Sequence, residues 1–469
     1  MAAAPAAQRP KPPHPPDNPV LGSLPEFARD ILGAVLRGWR TCGDLVRFRG
    51  PRTMTLAAHP DYVRRVMEDR WEIYPRSKVV RDYLRGVIGD GVFVAQGEDW
   101  RRQRRMLEPV LHGERVAQFA DQIVHATDEM LERWHDGEEV DVGAEMTRLS
   151  LDVLERVLFG DGRSGHDAFA ANVVTAVEYV IPRVMSPVNP PKFLPAGRRY
   201  EQALRELDRT LFSAISQRRR EPRDDLVSML IAARDPETGG EMSVRQVRDE
   251  VMTIIFGVYK GIPHALTWVW YLLSTNPHAR DRLRGELAEV LGGRAPGVGD
   301  LARLPYLTTV IQEALRLYPP LWIWSRPPIE DDEIAGYRIP AGMFVLMIPY
   351  VTHRHPDFWK NPEGFEPERF ASDSPATRHP HAYFPFGSGP RRCLGESFAL
   401  MQLRLVVASV AQRFRLELAP GYRIERALEF ILRPKNGLPM RLRALAADRV
   451  QPDEATTVAR AAGGAESAP

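Results

Sequence analysis

Apolar and polar residues follow a helical period over most of the chain. From about residue 60 to residue 290, apolar residues recur every three to four positions, which predicts a series of amphipathic helices. Two further helices are predicted at 304–319 and 394–414. The stretches 44–59 and 331–352 alternate apolar and polar residues between turns, as β-strands do. We therefore expect a mainly α fold with small β-sheets.

The longest apolar segment is VMTIIFGVYKGIPHALTWVWYLLS, residues 251–274. It is long enough to span a bilayer. However, Lys260, Pro263 and His264 lie at its centre, where a charge facing lipid is most costly. A helix that is apolar all round is otherwise the central helix of a large protein, so we expect no membrane anchor. Pro263 lacks an N–H and clashes with the Tyr259 carbonyl, which predicts a bend or opening.

The two terminal segments lie outside the helical and strand pattern and flank a single domain. The proline-rich residues 1–20 lack the apolar core of a signal peptide and are predicted to be flexible. Residues 447–469 are predicted to be disordered. Between them no linker divides residues 21–446, which we take as a single domain. The five prolines of 181–197 predict a loop between two helices rather than regular helix.

Composition limits the classes of function. The formal net charge is +2, which gives no global field for binding nucleic acid. Only six of the 63 basic residues are lysines, so Lys260 stands out in its apolar surroundings. The two cysteines, Cys42 and Cys393, are far apart in sequence and do not indicate a disulfide scaffold. A reducing, cytoplasmic location is therefore expected.

The strongest chemical signal is FPFGSGPRRCLGESFA, residues 384–399. Cys393 immediately precedes a predicted helix, whose N–H groups and dipole favour a thiolate. A thiolate is a soft ligand for iron. Glycines nearby would let the backbone approach a flat cofactor closely. An inert cysteine in a tight turn is the alternative, but five positions fit the pattern F-x-x-G-x-R-x-C-x-G together: Phe386, Gly389, Arg391, Cys393 and Gly395.

This stretch resembles the cysteine loop of the cytochrome P-450 family of haem-thiolate monooxygenases. Other motifs match the family in the same order. Glu313 and Arg316 of EALR, with Arg369 of PERF, correspond to a buried network behind the haem. The positions corresponding to propionate-binding residues are Trp100 and Arg104 of WRRQRR, Arg326 after YPPLWIWS, and Arg391.

The resemblance implies haem b as cofactor, with Cys393 as the iron ligand and residues 251–274 as the distal helix. It implies oxidation of a small molecule with dioxygen. No reductase segment is recognised, so electrons would come from a ferredoxin- or flavodoxin-type protein. A positive proximal face would suit such an acidic donor, and its candidates are Arg101, Arg102, Arg105 and Arg392. A monomer is expected.

The distal helix departs from the family pattern [A/G]-G-x-[D/E]-T-[T/S]. Here GVYKGI places Gly257 at the small residue, Lys260 at the acid and Gly261 at the threonine. One interpretation keeps monooxygenation, with a water or substrate hydroxyl filling the gap at Gly261. A second is peroxide-driven chemistry in which Lys260 anchors a substrate carboxylate.

Three further interpretations stay open. The protein would catalyse a rearrangement, dehydration or coupling, with Lys260 and Gly261 used differently. Alternatively, Lys260 would extend away from the haem into a polar channel. The last is a non-catalytic haem-fold partner protein, against which the intact Cys393 loop argues.

The substrate pocket is expected between the loops at 78–98 and 175–197 and the distal helix. Its predicted lining residues are Phe256, Gly257, Trp322, Trp324, Ile431 and Leu432. Because Trp322 and Trp324 are two residues apart, we expect one of these candidates to face the pocket and the other to face the core. The aromatic content favours an apolar substrate of moderate size, consistent with specialised metabolism.

Overall fold

The computed structural model describes residues 9–160, 166–185, 193–371 and 379–445. These residues form a mainly helical fold with small sheets, as predicted. The α-helices in them are α1 Leu24–Cys42, α2 Pro60–Arg64, α3 Lys78–Ile88, α4 Gly97–Leu107, α5 Gly113–Ala117, α6 Ala120–Glu132, α7 Val142–Phe159, α8 His166–Met185, α9 Pro195–Arg220, α10 Leu226–Ala232, α11 Val244–Thr275, α12 Pro277–Leu291, α13 Pro305–Leu317, α14 Pro349–Thr352 and α15 Glu396–Arg413.

The strands form four small sheets among the described residues. Their bounds are β1 Leu45–Phe48, β2 Met54–Ala57, β3 Glu139–Asp141, β4 Trp324–Arg326, β5 Asp332–Ile334, β6 Tyr337–Ile339, β7 Phe344–Met347, β8 Phe414–Leu418, β9 Arg426–Leu428, β10 Leu432–Pro434 and β11 Pro439–Ala444. The largest sheet has the order β1-β2-β7-β4, and β2 pairs with β7 in parallel. A three-stranded sheet has the order β3-β11-β8, and the hairpins β5-β6 and β9-β10 complete the set.

Helix α11 is the axis of the helical core. The Ser243 side chain caps it by accepting the Gln246 N–H at 3.1 Å. Helix α11 runs through Pro263 without an interruption, so the helix does not open there. Because α11 packs against α7, α9, α13 and α15, tertiary contacts outweigh the lost backbone hydrogen bond. Its C-terminal half is fixed by Trp268, which stacks on Tyr318 with ring centroids 4.0 Å apart.

Two segments differ from the predictions, and a third lies outside the described residues. Residues 9–20 were expected to be flexible, but the Pro10 and Pro13 carbonyls accept backbone hydrogen bonds from Arg338 and Arg47. Helices α8 and α9 both extend into the stretch 181–197 that was predicted to be a loop, and Pro182 lies inside α8. Residues 447–469 lie outside the described part of the chain. None of the described helices has the length and apolarity that a bilayer crossing requires.

A buried ionic network ties α13 to the segment before the cysteine loop. Glu313 and Arg316 have fully buried side chains and form an ion pair at 2.7 Å. Arg369 donates to the same carboxylate at 3.0 Å. Arg316 also donates to the carbonyls of Pro362 and Gly364 at 2.7 and 2.9 Å. The network therefore fixes the backbone of this segment, as well as joining three charged side chains.

Glu313→Gln should strongly destabilise the protein, because it leaves two guanidinium groups without their shared carboxylate. We expect the free energy of unfolding to fall by about 3–5 kcal/mol, measured by urea denaturation followed by tryptophan fluorescence. The matched control is Glu206→Gln, since Glu206 pairs with Arg209 at the surface, where the side chains are 39% and 71% exposed. That variant should lose less than about 1 kcal/mol. Equal losses in the two variants would contradict the structural role.

Candidate active site

An internal cavity of about 280 Å³ lies between α11 and the cysteine loop. Helix α11 contributes one wall, which includes Glu250, Thr253, Ile254, Phe256, Gly257, Lys260, Gly261 and Ala265. The facing wall comes from the cysteine loop and α15, and includes Pro385, Phe386, Arg391, Cys393, Leu394, Gly395, Phe398 and Ala399. The two stretches that the sequence singled out therefore face each other across one cavity.

Cys393 lines this cavity at the entrance to α15. Its backbone N–H donates to the Phe386 carbonyl at 2.9 Å, which closes the loop. Burial raises the pKa of the Cys393 thiol, while the Gly395 N–H and the charges of Arg104 and Arg76 act in the opposite direction. The helix start alone therefore does not provide a thiolate. A cation that displaces the thiol proton would supply the missing stabilisation.

Three buried arginines lie near one another, and two of them, Arg76 and Arg391, line the same cavity. Arg76, Arg326 and Arg391 are each less than 10% exposed. Among the described residues no acidic side chain forms an ion pair with any of them. Burial and their mutual repulsion lower the pKa of Arg326 to about 9. For Arg391, burial and the charges of Arg81 and Arg101 lower the pKa to about 10.

The partners of these arginines are neutral. Arg391 donates to the Ala95 carbonyl at 3.2 Å and its guanidinium lies 4.3 Å from the Trp100 ring centroid. Its Nε is buried without a hydrogen-bond acceptor, and the same is true of Arg76. Burying positive charge in this way is costly unless an anion accompanies it. The cluster is thus suited to an anionic group within the cavity, such as the carboxylates of a cofactor.

The other predicted cofactor residues take different positions. Trp100 and Arg104 line the cavity, and Arg104 also donates to the Arg392 carbonyl at 2.6 Å. Arg326 lies beside the cluster but not on the cavity wall. Gly389 was expected to approach the cofactor. Instead it has φ +65° and packs on the other side of the loop, where a Cβ would collide with the Met67 carbonyl. Gly395 does line the cavity.

The distal wall is open at the two glycines. A Cβ built at Gly257 or at Gly261 would meet no atom within 4 Å. Residues four apart on a helix share one face, so the two positions form a continuous gap. No described side chain fills the place where an alcohol would be expected at residue 261.

The buried Lys260 side chain forms an ion pair with Glu178 of α8, whose side chain is partly exposed. The Tyr259 hydroxyl donates to the same Glu178 oxygen at 2.9 Å, and burial raises the pKa of Tyr259. Lys260 also lies on the cavity wall, whereas Tyr259 does not. Burial, with the charges of Lys260 and Arg433, lowers the pKa of nearby His264 to about 3. His264 is therefore neutral at physiological pH.

The apolar end of the cavity is aromatic. Phe256 contacts Phe93 and Phe430 edge-to-face, with ring centroids 6.0 and 5.7 Å apart. Trp324 and Ile431, which were predicted to line the substrate pocket, also line the cavity. Trp322 and Leu432 were assigned to the pocket as well, but both are fully buried in a separate core cluster with Trp268.

The arginines assigned to a positive proximal face are largely matched by acids. Arg101 pairs with Glu72 at 2.8 Å and Arg392 with Glu396 at 2.6 Å. Arg105 pairs with Asp235 at 3.1 Å, and Arg102 donates to a backbone carbonyl. Acidic partners of three of these four arginines reduce the net positive charge that the predicted proximal face would carry.

Sequence reasoning missed two residues of this site. Arg76 follows a proline in YPRSK, where nothing local distinguishes it from a surface arginine. Glu178 is one of two acids on α8, and only the fold brings it to Lys260. A scarce lysine in an apolar helix could have prompted a search for a buried acidic partner.

The chain is similar to known proteins over most of its length. A family model described as Cytochrome P450 matches residues 12–440. Cyclooctat-9-en-7-ol 5-monooxygenase of Streptomyces melanosporofaciens is 32% identical, over 87% of this chain and 92% of the relative. Pentalenene oxygenase of Streptomyces avermitilis is 31% identical, over 81% of this chain and 85% of the relative. The crystal structure of the cytochrome P450DA heme domain has a TM-score of 0.85 at 26% identity, covering 94% of this chain and 99% of that chain.

These matches agree with the order of the motifs and with the cavity between α11 and the cysteine loop. The predicted family is confirmed, and the prediction that the protein is an oxidoreductase is confirmed with it. The chain belongs to the cytochrome P450 family.

Proposed function

We propose that this protein is a haem-thiolate monooxygenase that hydroxylates an apolar cyclic molecule with dioxygen, using electrons from a separate protein. The observation that carries the proposal is the convergence of Cys393 and the unpaired arginines on one cavity. The family implies haem, and this cavity offers a sulfur ligand for its iron and positive charge for its carboxylates. We propose haem b, since the chain contains no C-x-x-C-H motif for covalent attachment.

Each residue has a defined part in this proposal. Cys393 would hold the iron, and Phe386 would cover the sulfur and exclude water. Arg76, Arg104 and Arg391 would pair with the propionates, with Trp100 packed beside them. When bound, the haem supplies dioxygen activation at a thiolate-ligated iron. The protein contributes the charge pairing, the dry cavity and the orientation of the substrate.

The substrate end favours a compact apolar molecule. Phe93, Phe256 and Phe430 present aromatic edges, and Gly257 and Gly261 leave space above them. The names of the two Streptomyces relatives contain a cyclic alkene and a cyclic alkenol. We propose a cyclised terpene or similar carbocycle. A hydroxyl on such a substrate, or a water, would occupy the gap at Gly261.

The peroxide-driven alternative is less well supported. It requires Lys260 to bind a substrate carboxylate, but Lys260 already pairs with Glu178. No described residue otherwise favours rearrangement or coupling over oxygenation. Turnover with dioxygen and an electron donor, compared with turnover by hydrogen peroxide, distinguishes these reactions directly.

Cys393→Ser should abolish the absorbance band that marks thiolate ligation in the reduced carbon monoxide complex, since a hydroxyl is a poor ligand for this iron. Cys42→Ser is the matched control, because Cys42 does not line the cavity. Difference spectra of the haem-loaded proteins make the measurement. A normal band in the Cys393 variant, or its loss in both variants, would overturn the ligand assignment.

Gly261→Thr should narrow the range of accepted substrates. A Cβ at residue 261 meets no atom within 4 Å, so we expect folding to be preserved while the added side chain fills the gap. We expect the binding of the largest accepted cyclic substrate to weaken by about ten-fold, measured by spectral titration. Gly285→Thr on α12 is the control, because that glycine also has open space but lies outside the cavity. Unchanged affinity in Gly261→Thr would show that substrate does not use the gap.

A further inference from the structure

Lys260 and Glu178 connect the cavity wall to solvent. The Lys260 side chain is 8% exposed and belongs to a residue that lines the cavity, whereas the Glu178 side chain is 44% exposed. A single carboxylate oxygen of Glu178 contacts both Lys260 and the Tyr259 hydroxyl. The contact therefore links an interior proton donor to a carboxylate that bulk water can reach.

We propose that Lys260 and Glu178 form a proton relay from solvent to the space beside Gly261. The proposal rests on the proposed oxygenase function. Hydroxylation converts a substrate C–H, dioxygen, two electrons and two protons into an alcohol and water. The electron-donor protein supplies the electrons, and solvent supplies the protons. The relay accounts for the route of those protons in a helix that lacks both an acid at 260 and an alcohol at 261.

Each transfer restores the starting state. The N–H bond of the Lys260 ammonium breaks, and its proton passes to a water or hydroxyl beside Gly261. The neutral amine is then left beside the Glu178 carboxylate, which takes a proton from solvent and passes it to the amine, so that the ammonium–carboxylate pair is restored. Neither side chain is oxidised or consumed. The Tyr259 hydroxyl holds the carboxylate oxygen in position and is a positioning residue.

A purely mechanical role is the alternative, because the same ion pair also clasps α8 to α11. The Lys260→Arg variant distinguishes the proton relay from the mechanical role. Arginine keeps the positive charge and the clasp, but it does not release a proton at accessible pH. Lys260→Met removes both the clasp and the proton donor, and Glu178→Gln removes the carboxylate at the solvent end.

The experiment compares product formed per reductant consumed with turnover driven by hydrogen peroxide, which already carries the electrons and protons. Lys260→Arg and Lys260→Met should both lower product per reductant by about ten-fold or more, with hydrogen peroxide released instead. Glu178→Gln should change in the same direction by a smaller factor, with an altered solvent isotope effect. The peroxide-driven turnover and the substrate affinity of Lys260→Arg should fall by a much smaller factor than its product per reductant.

Two results would overturn the relay. One is native product yield per reductant in Lys260→Arg, which would leave only the clasp. The other is an equal loss of dioxygen-driven and peroxide-driven turnover in that variant, which would indicate a damaged site. Lys435→Met is the control, since Lys435 pairs with Glu425 at 2.9 Å with both side chains 59% exposed. Failure of the proposed function itself is distinct, because the native protein would then lack the thiolate carbon monoxide band or any oxygenation.

Discussion

The buried positive charge beside the cavity is the constraint on which the site depends. Three guanidinium groups are removed from water without an acidic partner among the described residues, although such groups are normally paired when buried. The elements that carry them are otherwise unrelated: the segment before α3, strand β4 and the cysteine loop. Their convergence is hard to explain by packing alone. It is explained if the folded state is completed by an anionic molecule, whose binding would then add to the stability of the fold.

The distal helix shows how a family site can change its charge without losing its frame. Helix α11 is continuous from Val244 to Thr275, is capped by Ser243 and packs against α7 and α15. The change is confined to one turn, where a lysine and a glycine replace an acid and an alcohol. An ammonium group in an apolar wall is tolerated because Glu178 lies opposite on α8. The substitution at 260 is therefore meaningful only together with a residue about eighty positions earlier in the chain.

Local chemistry made part of this structure predictable from sequence. The cysteine loop and the Glu313–Arg316 pair are short motifs whose members touch because they are close in sequence, so the fold class and the position of Cys393 followed. Contacts between residues that are distant in sequence could not be predicted in this way. Only the fold brings Glu178 and Arg76 to the site. The alternation of side chains along an extended segment could not show which of Trp322 and Trp324 faces the cavity. Pro263 does not open the helix, because the propensity of one residue is weaker than burial on every side of a helix.

The parallel pairing of β2 with β7 bears on how the chain is made. Residues 54–56 pair with residues 344–346, so one edge of β2 has no strand partner until most of the polypeptide has left the ribosome. The cysteine that completes the cavity emerges later still. At a synthesis rate of about 5–20 residues per second, this edge of β2 stays unpaired for about tens of seconds. The N-terminal part of the fold must therefore stay soluble as an unfinished sheet, and cofactor capture belongs to the last stage of biogenesis.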